Sequence, residues 1–350
     1  MAKSAQPVLP KPLPGDRVLD FGGHRPGRTM MHYYVDVIGL PTLLAFKRSS
    51  KLKEFRARLE ELLVIPDAQV FALVRNESEF EKLADLETAH PTLKLGIDQD
   101  GEAEARLGMS GSAPQLYVTD PNSRLLADMP LNAKDLAHQV QALVGGSMTS
   151  LQTGFPPVLT IPRVLDPDWC QKLIDLWATD NRQSGHYANQ GGTYVEVQDA
   201  NVKVRRDHGI SDPKIQQELI HILSRRVFPE VAKALANDLR YFEELKICRY
   251  DGESSGHFRP HRDNLSKAAA HRRFAMTLCL NEDYDGGQLR FPEYTHAPIK
   301  PRAGEAAVFS CSMLHEVLPV SAGERFVLLA FIFGEPEMQM IRQRGGTFKG

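Results

Sequence analysis

The hydrophobic pattern changes character partway along the chain. In the first part, short apolar runs alternate with amphipathic stretches. "HYYVDV" (32–37), "PTLLAF" (41–46), "QVFALV" (69–74) and "LKLGID" (93–98) have the length and the β-branched and aromatic content of strands. Between them, "KLKEFRARLEELL" (51–63) puts Leu52, Phe55, Leu59, Leu62 and Leu63 on one helical stripe, and "ESEFEKLADLETAH" (77–90) reads as a second helix. "PQLYVTDPNSRLLADM" (114–129) reads as a hairpin turning at Asp120-Pro121-Asn122, and "AKDLAHQVQALV" (133–144) as a closing helix. This alternation predicts an α/β unit, a small sheet covered by helices.

A stretch rich in Gly, Ser, Thr and Pro, "VGGSMTSLQTGFPP" (144–157), marks a boundary. Beyond it two helices begin alike, "LDPDWCQKLIDLWATD" at Asp166-Pro167 and "SDPKIQQELIHILSRR" at Asp212-Pro213, each an acidic cap followed by proline in the first turn. From residue 243 short strands follow: "ELKICRY", "GHFRPHRD", "RFAMTLCL", "GQLRF", "APIKP", "EAAVFS", "HEVLPV" and "RFVLLAFIF". Strands at this spacing, broken by Gly, Pro and Asp, predict an α+β unit built on a jelly-roll barrel. The domain expectation is 1–147, 155–336 with the barrel core at 243–335, and a peripheral tail at 337–350.

Composition narrows the class. The 350 residues are 42% hydrophobic and 25% charged, enough apolar mass for two cores. A formal net charge of -2 gives no electrostatic reason to expect nucleic acid or an anionic membrane as partner. The opening residues lack a signal-peptide core, and no apolar run approaches the ~18 residues of a membrane span. The four cysteines, Cys170, Cys248, Cys279 and Cys311, form no CxxC pair, so the expectation is buried thiols in a reduced, cytoplasmic setting.

The chemistry gathers in "GHFRPHRDN" (256–264). His261 and Asp263 are two apart on an expected strand and would share a face. His315, in "SMLHEVLPV", is a third candidate from a later strand. Two histidines and one carboxylate form the facial triad of non-haem Fe(II) sites, which leaves coordination positions open. His-x-Asp alone is weak, since such triplets usually lie on surfaces. Arg325, ten residues past His315 at the start of an apolar strand, changes the picture. A guanidinium there needs an anion, and its planar fork suits a carboxylate.

Residues ~155–335 resemble prolyl 4-hydroxylase-type 2-oxoglutarate- and Fe(II)-dependent dioxygenases. The resemblance rests on "RYDGESSGHFRPHRD", "LCLNEDYDGGQLRFPE" and "PRAGEAAVFSCSMLHEVLPVSAGER", in that order, with "PPVLTIPRVLDPDWCQKLIDL" similar to the family's helical lead-in. It implies a double-stranded β-helix fold, with His261, Asp263 and His315 as iron ligands and Arg325 on the distal carboxylate of 2-oxoglutarate. Tyr250 and Thr277 would line the co-substrate pocket. Some relatives place a tyrosine about where Cys279 stands. His257 and Arg259 are either at the substrate mouth or plain surface positions, and His271-Arg272-Arg273 reads as a solvated basic loop. The implied cofactors are Fe(II), 2-oxoglutarate and O2, with ascorbate supportive. The implied reaction hydroxylates a C–H bond, of a peptidyl proline first and of a free amino acid or other small molecule as the alternative. A binding protein that has lost turnover is the reading from another class, and a metal barrel that does not use 2-oxoglutarate would have no need of Arg325.

The first part resembles peroxiredoxins, which are thioredoxin-like, through "LPKPLPGDRVLDFGG", "PTLLAF" and "APQLYVTDPNSRLLAD", with Pro114 at the place of a cis-proline. It departs from them in chemistry, because residues 1–169 contain no cysteine and "KRSSKLKEF" stands where the nucleophilic thiol would be. Without a thiolate there is no peroxide or disulfide chemistry. The expectation is a degenerate module for packing, homodimerisation or substrate docking.

Overall fold

The computed structural model describes residues 11–18, 21–26, 31–110, 113, 115–151, 154–190 and 193–343. The chain falls into two compact units whose main division lies between Gly154 and Phe155.

The first unit is built on a five-stranded sheet. Strands β1 (Thr42–Phe46), β2 (Gln69–Val74), β3 (Leu93–Ile97), β4 (Gln115–Thr119) and β5 (Leu125–Pro130) lie in the order β3-β2-β1-β4-β5. β1, β2 and β3 are parallel, and β4 and β5 are antiparallel to their neighbours. β1 and β2 are buried along their whole length, as continuous apolar runs require of a sheet covered on both faces. On one face pack Phe55, Leu59 and Leu62 of helix α1 (Leu52–Leu63) and Val140 and Val144 of helix α2 (Leu136–Leu151). On the other, Phe21 and Tyr33 join Leu44, Phe46 and Phe71.

Three sequence expectations change here. "HYYVDV" is not a strand: Tyr33–Asp36 is one helical turn, because Tyr33 and Val37, both buried, are four apart and share a helical face. The helix at 77–90 is two short ones, Glu77–Glu81 and Ala84–Ala89. α2 runs to Leu151, so an end at 147 falls inside it. A Cβ added at its Gly145 or Gly146 would meet nothing within 4 Å outside the helix's own backbone, and Val140 and Val144 hold the helix to the sheet. Pro114 lies outside the described residues.

The second unit is built mainly on two sheets. The larger is nine-stranded; along its main path strands β6 (Leu159–Ile161), β7 (Arg182–Gln183), β9 (Arg206–Gly209), β10 (Lys246–Asp251), β12 (Phe274–Cys279), β14 (Ala306–Ser310) and β16 (Val320–Phe333) lie in the order β6-β14-β12-β16-β10-β9-β7, and Tyr241–Phe242 and Tyr284–Gly286 pair with β16 outside it. The smaller has β8 (Lys203–Val204), β11 (His257–His261), β13 (Leu289–Arg290) and β15 (His315–Val317) in the order β8-β11-β15-β13. Helices α3 (Pro167–Thr179) and α4 (Pro213–Arg226) start as the sequence predicts. Asp166 accepts from Trp169 N–H at 2.9 Å, and Asp212 accepts from Lys214 N–H at 2.8 Å.

One face of the larger sheet packs on these helices. Ile247, Met276, Leu278, Val308, Phe326, Leu328 and Ala330 share a core with Leu173, Leu219 and Leu223. Because side chains alternate along a strand, Tyr250, Thr277, Cys279 and Arg325 occupy the opposite face. "APIKP" contributes one bridge, Leu289 to Ile299, and no strand. The chain beyond Gly334 is less peripheral than expected, with a helix at Glu335–Gln343 that buries Glu337 and Met338. Glu337 pairs with Arg273 at 2.6 Å. Among the described residues no helix is long and apolar enough to cross a membrane.

Candidate active site

β11 and β15 are antiparallel, and an irregularity between Phe258 and His261 brings His261 directly opposite His315. Asp263 lies just past the end of β11, tied down by its N–H, which donates to Cys311 O at 3.0 Å. His261 Nε2 is 3.5 Å from Asp263 Oδ1, and His315 Nε2 is 3.3 Å from Asp263 Oδ2. The three ligand atoms lie within 4.8 Å of one another, the one such set of three among the described residues.

The histidine tautomers follow from their other nitrogens. His261 Nδ1 contacts Arg259 O at 2.8 Å, and His315 Nδ1 contacts Met313 O at 3.1 Å. A carbonyl only accepts, so each Nδ1 carries the proton and each Nε2 is turned toward Asp263. Burial pushes His315 down to about 4, which the nearby Asp263 only partly offsets. Burial would raise Asp263, but the His315 and His261 rings more than reverse this and hold it well below the usual carboxylate range. A neutral imidazole lone pair and a carboxylate facing each other at this range repel unless a cation sits between them. The donor set fits a divalent ion that takes nitrogen and oxygen.

Arg325 is 2% exposed. It pairs across the ladder with Tyr250, and its guanidinium lies 5.1 Å from the centre of that ring. Among the described residues no carboxylate is within ion-pair distance of it. Thr277 and Cys279 are on the neighbouring strand, on the same face. All the residues read from the sequence as site residues therefore belong to one unit, His261 and His315 on the smaller sheet with Asp263 just past β11, and Tyr250, Thr277 and Arg325 on the larger.

Several residues that the sequence did not single out are also here. Tyr284 is buried. Its hydroxyl is 3.3 Å from Cys279 Sγ, and Arg325 is among the groups that perturb it. Gly287 leaves room for both, since a Cβ there would sit 2.9 Å from Arg325 Cδ. Phe258 stacks on His261 with ring centres 3.5 Å apart. Along residues 202–207, which include β8 and the start of β9, the usual pattern is inverted: Lys203, Arg205 and Asp207 are buried while Val202 and Val204 are only half-buried. Arg205 donates to Asp207 Oδ2 at 2.6 Å and to the Tyr250 hydroxyl at 3.3 Å. "KVRRD" looks like a solvated charge run, and the only signal against that was its length and its alternation.

Two other readings separate. His257 is buried with Nε2 unpartnered, while Arg259 is exposed and donates to Asn201 O. His271-Arg272-Arg273 is not a solvated loop. Arg272 grips Glu243 through two 2.8 Å hydrogen bonds and lies 3.8 Å from the centre of the Phe331 ring.

Comparison with known proteins gives the class. Residues 245–333 match the profile of the 2OG-Fe(II) oxygenase superfamily. A PKHD-type hydroxylase of Synechococcus sp. (strain CC9311) is 31% identical over 182 residues, covering 49% of this chain and 75% of that protein. A PKHD-type hydroxylase of Hyphomonas neptunium is 31% identical over 126 residues, 34% of this chain and 54% of its own length. Procollagen-lysine,2-oxoglutarate 5-dioxygenase 1 of Rattus norvegicus is 26% identical over 158 residues, 44% of this chain and 19% of its own. The chain thus spans between a fifth and three quarters of the length of these relatives. Among solved structures, a Pseudomonas putida prolyl-4-hydroxylase aligns with 20% identity and a TM-score of 0.39, covering 54% of this chain and 97% of that one.

The chain belongs to the 2OG-Fe(II) oxygenase superfamily. With that membership comes the class of chemistry, a 2-oxoglutarate-dependent dioxygenase working with Fe(II), 2-oxoglutarate and O2.

Proposed function

We propose that this protein hydroxylates a peptidyl proline, with His261, Asp263 and His315 holding the iron and Arg325 binding the distal carboxylate of 2-oxoglutarate. The observation that carries the reading is the convergence of two Nε2 atoms and a carboxylate within 4.8 Å, in the same unit as a buried arginine with no carboxylate of its own among the described residues. Iron, when bound, supplies the O2-activating oxidation chemistry. This chain's own residues do the rest. Arg259 O and Met313 O fix the two imidazoles through Nδ1, and Asp263 stays ionised as a ligand. Arg325 would hold the distal carboxylate of the co-substrate, a role its planar fork suits, and Tyr250 and Thr277 would wall its pocket. Retention of Asp263, rather than a small residue in its place, favours hydroxylation over halogenation.

A protein-bound residue as target is supported by the prolyl 4-hydroxylase-type motif order and by the name of the procollagen-lysine relative. A free amino acid or other small molecule is the second reading. The two-sheet arrangement around this face supports a jelly-roll barrel. In the first unit the order β2-β1-β4-β5, with β1 and β2 parallel and β4 and β5 antiparallel, supports a thioredoxin-like module, and its lack of cysteine supports a role in docking or dimerisation rather than redox chemistry.

The test is anaerobic loading with Fe(II) followed by O2, 2-oxoglutarate and ascorbate. Slow succinate formation is expected even without substrate. A rate no higher than that of His261→Ala sinks the proposal. Capture of lysate peptides and metabolites that gain one oxygen atom then decides between the two substrate readings.

A further inference from the structure

The inner surface of the second unit holds more positive charge than its own groups and the co-substrate can neutralise. Lys203 is 6% exposed. Its ammonium donates to Ser184 Oγ and to Gly185 O, each at 2.7 Å, and both acceptors are uncharged. An ammonium has three donors, and the third finds no acceptor among the described residues. No carboxylate there comes within ion-pair distance of it either. Asp207, a carboxylate that acts on it through space, is already engaged by Arg205 at 2.6 Å.

The position of this ammonium relates it to the reacting centre. Lys203 pairs across the strands with Phe258, and Nζ lies 4.8 Å from the centre of that ring. Phe258 in turn stacks on His261 and stays partly exposed. One aromatic ring therefore connects the ammonium to a proposed iron ligand.

The charges can be followed group by group on the proposed reading, on which this inference rests. Fe(II), Asp263 and the two carboxylates of 2-oxoglutarate together leave one negative charge, and Arg325 cancels it. Arg205 and Asp207 cancel each other. Lys203 is left over, and a buried uncompensated charge is costly. Burial and the neighbouring Arg205 bring its pKa down to about 7, which reflects that cost.

We propose that Lys203 recognises a carboxylate carried by the substrate, about one aromatic ring away from the carbon that is oxidised. That carboxylate can be an acidic side chain beside the target residue in a peptide, or the α-carboxylate of a free amino acid. The hydroxyl of Ser184 and the Gly185 carbonyl hold the ammonium in place, and its third donor meets the ligand.

The experiment uses the full chain, loaded anaerobically with Fe(II) and 2-oxoglutarate, and follows the change in its charge-transfer band as probes are added. Two matched pairs serve: acetyl-Ala-Glu-Pro-Ala-amide against its Gln counterpart, and L-proline against L-prolinamide. In the wild type the carboxylate member of one pair should bind at least about tenfold more tightly than its amide partner, and the pair that discriminates names the source of the carboxylate. In Lys203→Met that ratio should fall below about twofold, and Lys203→Arg should keep part of it. Affinity for 2-oxoglutarate, measured in the same titration, should move by less than about twofold. Equal behaviour of both members in both pairs, including absence of binding by all four, overturns the proposal. So does a Lys203→Met protein that still discriminates, or one whose main loss is 2-oxoglutarate affinity. The wild-type comparison stands even where a variant fails to fold. Absence of the charge-transfer band in wild type is a separate result, which counts against the proposed function.

Discussion

At the scale of single residues, Arg325 and Tyr284 make the sharpest predictions. Removing one partner of a buried charge pair leaves the other charge unpaired and costs several kcal/mol. At about 1.4 kcal/mol per decade, Arg325→Ala should weaken 2-oxoglutarate binding by about two to three decades while Fe(II) affinity barely changes. Arg325→Lys should recover part of this, since lysine restores the charge without the fork. Titration of 2-oxoglutarate into the anaerobic Fe(II) protein measures it, and wild-type affinity in Arg325→Ala would remove Arg325 from the site. Tyr284 is one neutral hydroxyl beside that guanidinium, adjacent to a Cys279 that cannot supply an equivalent donor. A neutral hydrogen bond is worth about 1 kcal/mol net, so Tyr284→Phe should weaken 2-oxoglutarate by about fivefold, and Cys279→Tyr in that background should restore some of it. An unchanged affinity in Tyr284→Phe would make the residue a packing group only.

At the scale of elements, the turn at Gly286-Gly287 positions the strand that carries Arg325. Gly286 has φ 75°, and a Cβ on it would sit 2.2 Å from Pro319 O. Backbone on both sides prevents relief of that contact, because Tyr284–Gly286 pairs with β16 through an irregular register. Gly286→Ala should therefore lower stability by at least about 2 kcal/mol, read as a shift in the urea midpoint at constant slope. A variant with the wild-type midpoint would show that the turn opens freely. The pairing of β11 with β15 matters in a different way. It brings His261 and His315 together from distant parts of the chain, so any change in register moves one away from the other.

At the scale of the whole molecule, the buried Arg205–Asp207 pair ties stability to pH. Burial raises the pKa of Asp207, but Arg205 more than reverses this and brings it down to about 2, against an ordinary value near 4. A depressed carboxylate contributes stability that is fully present above its unfolded pKa and is lost as pH falls through the folded one. The chain should therefore lose about 2 kcal/mol between pH 4 and pH 2 from this group, beyond the loss from its exposed carboxylates. Chemical denaturation at several pH values, compared with Asp207→Asn, checks it. The variant should be less stable at neutral pH, because it leaves Arg205 buried and unpaired, and its stability should vary less in that window. Equal acid sensitivity in both proteins would contradict the assignment. The four cysteines are free and buried, with Cys170 and Cys248 pushed up by burial to about 11 and about 12. Their burial agrees with the expectation of buried thiols.

The sequence by itself determined what depends on local order along the chain. The two helix starts at Asp166-Pro167 and Asp212-Pro213, most strands after residue 243, the parallel strands β1 and β2 and the set His261, Asp263, His315 and Arg325 were all legible. Each shows as a cap, a period or a motif within a few residues. What only the tertiary structure decided depends on a partner far away in sequence. "HYYVDV" became a helical turn because Tyr33 and Val37 had one core to fill. α2 ran through two glycines because the sheet held it. Lys203, Arg205 and Asp207 sit inside because each finds polar partners across the unit, the one circumstance in which a charge run is buried. Tyr284 reaches Arg325 through a turn whose geometry two glycines and a neighbouring strand impose. Hydrophobic periodicity reports where apolar surface goes, whereas the polar interior of a binding site is fixed by which distant groups satisfy one another, and a single sequence does not carry that information.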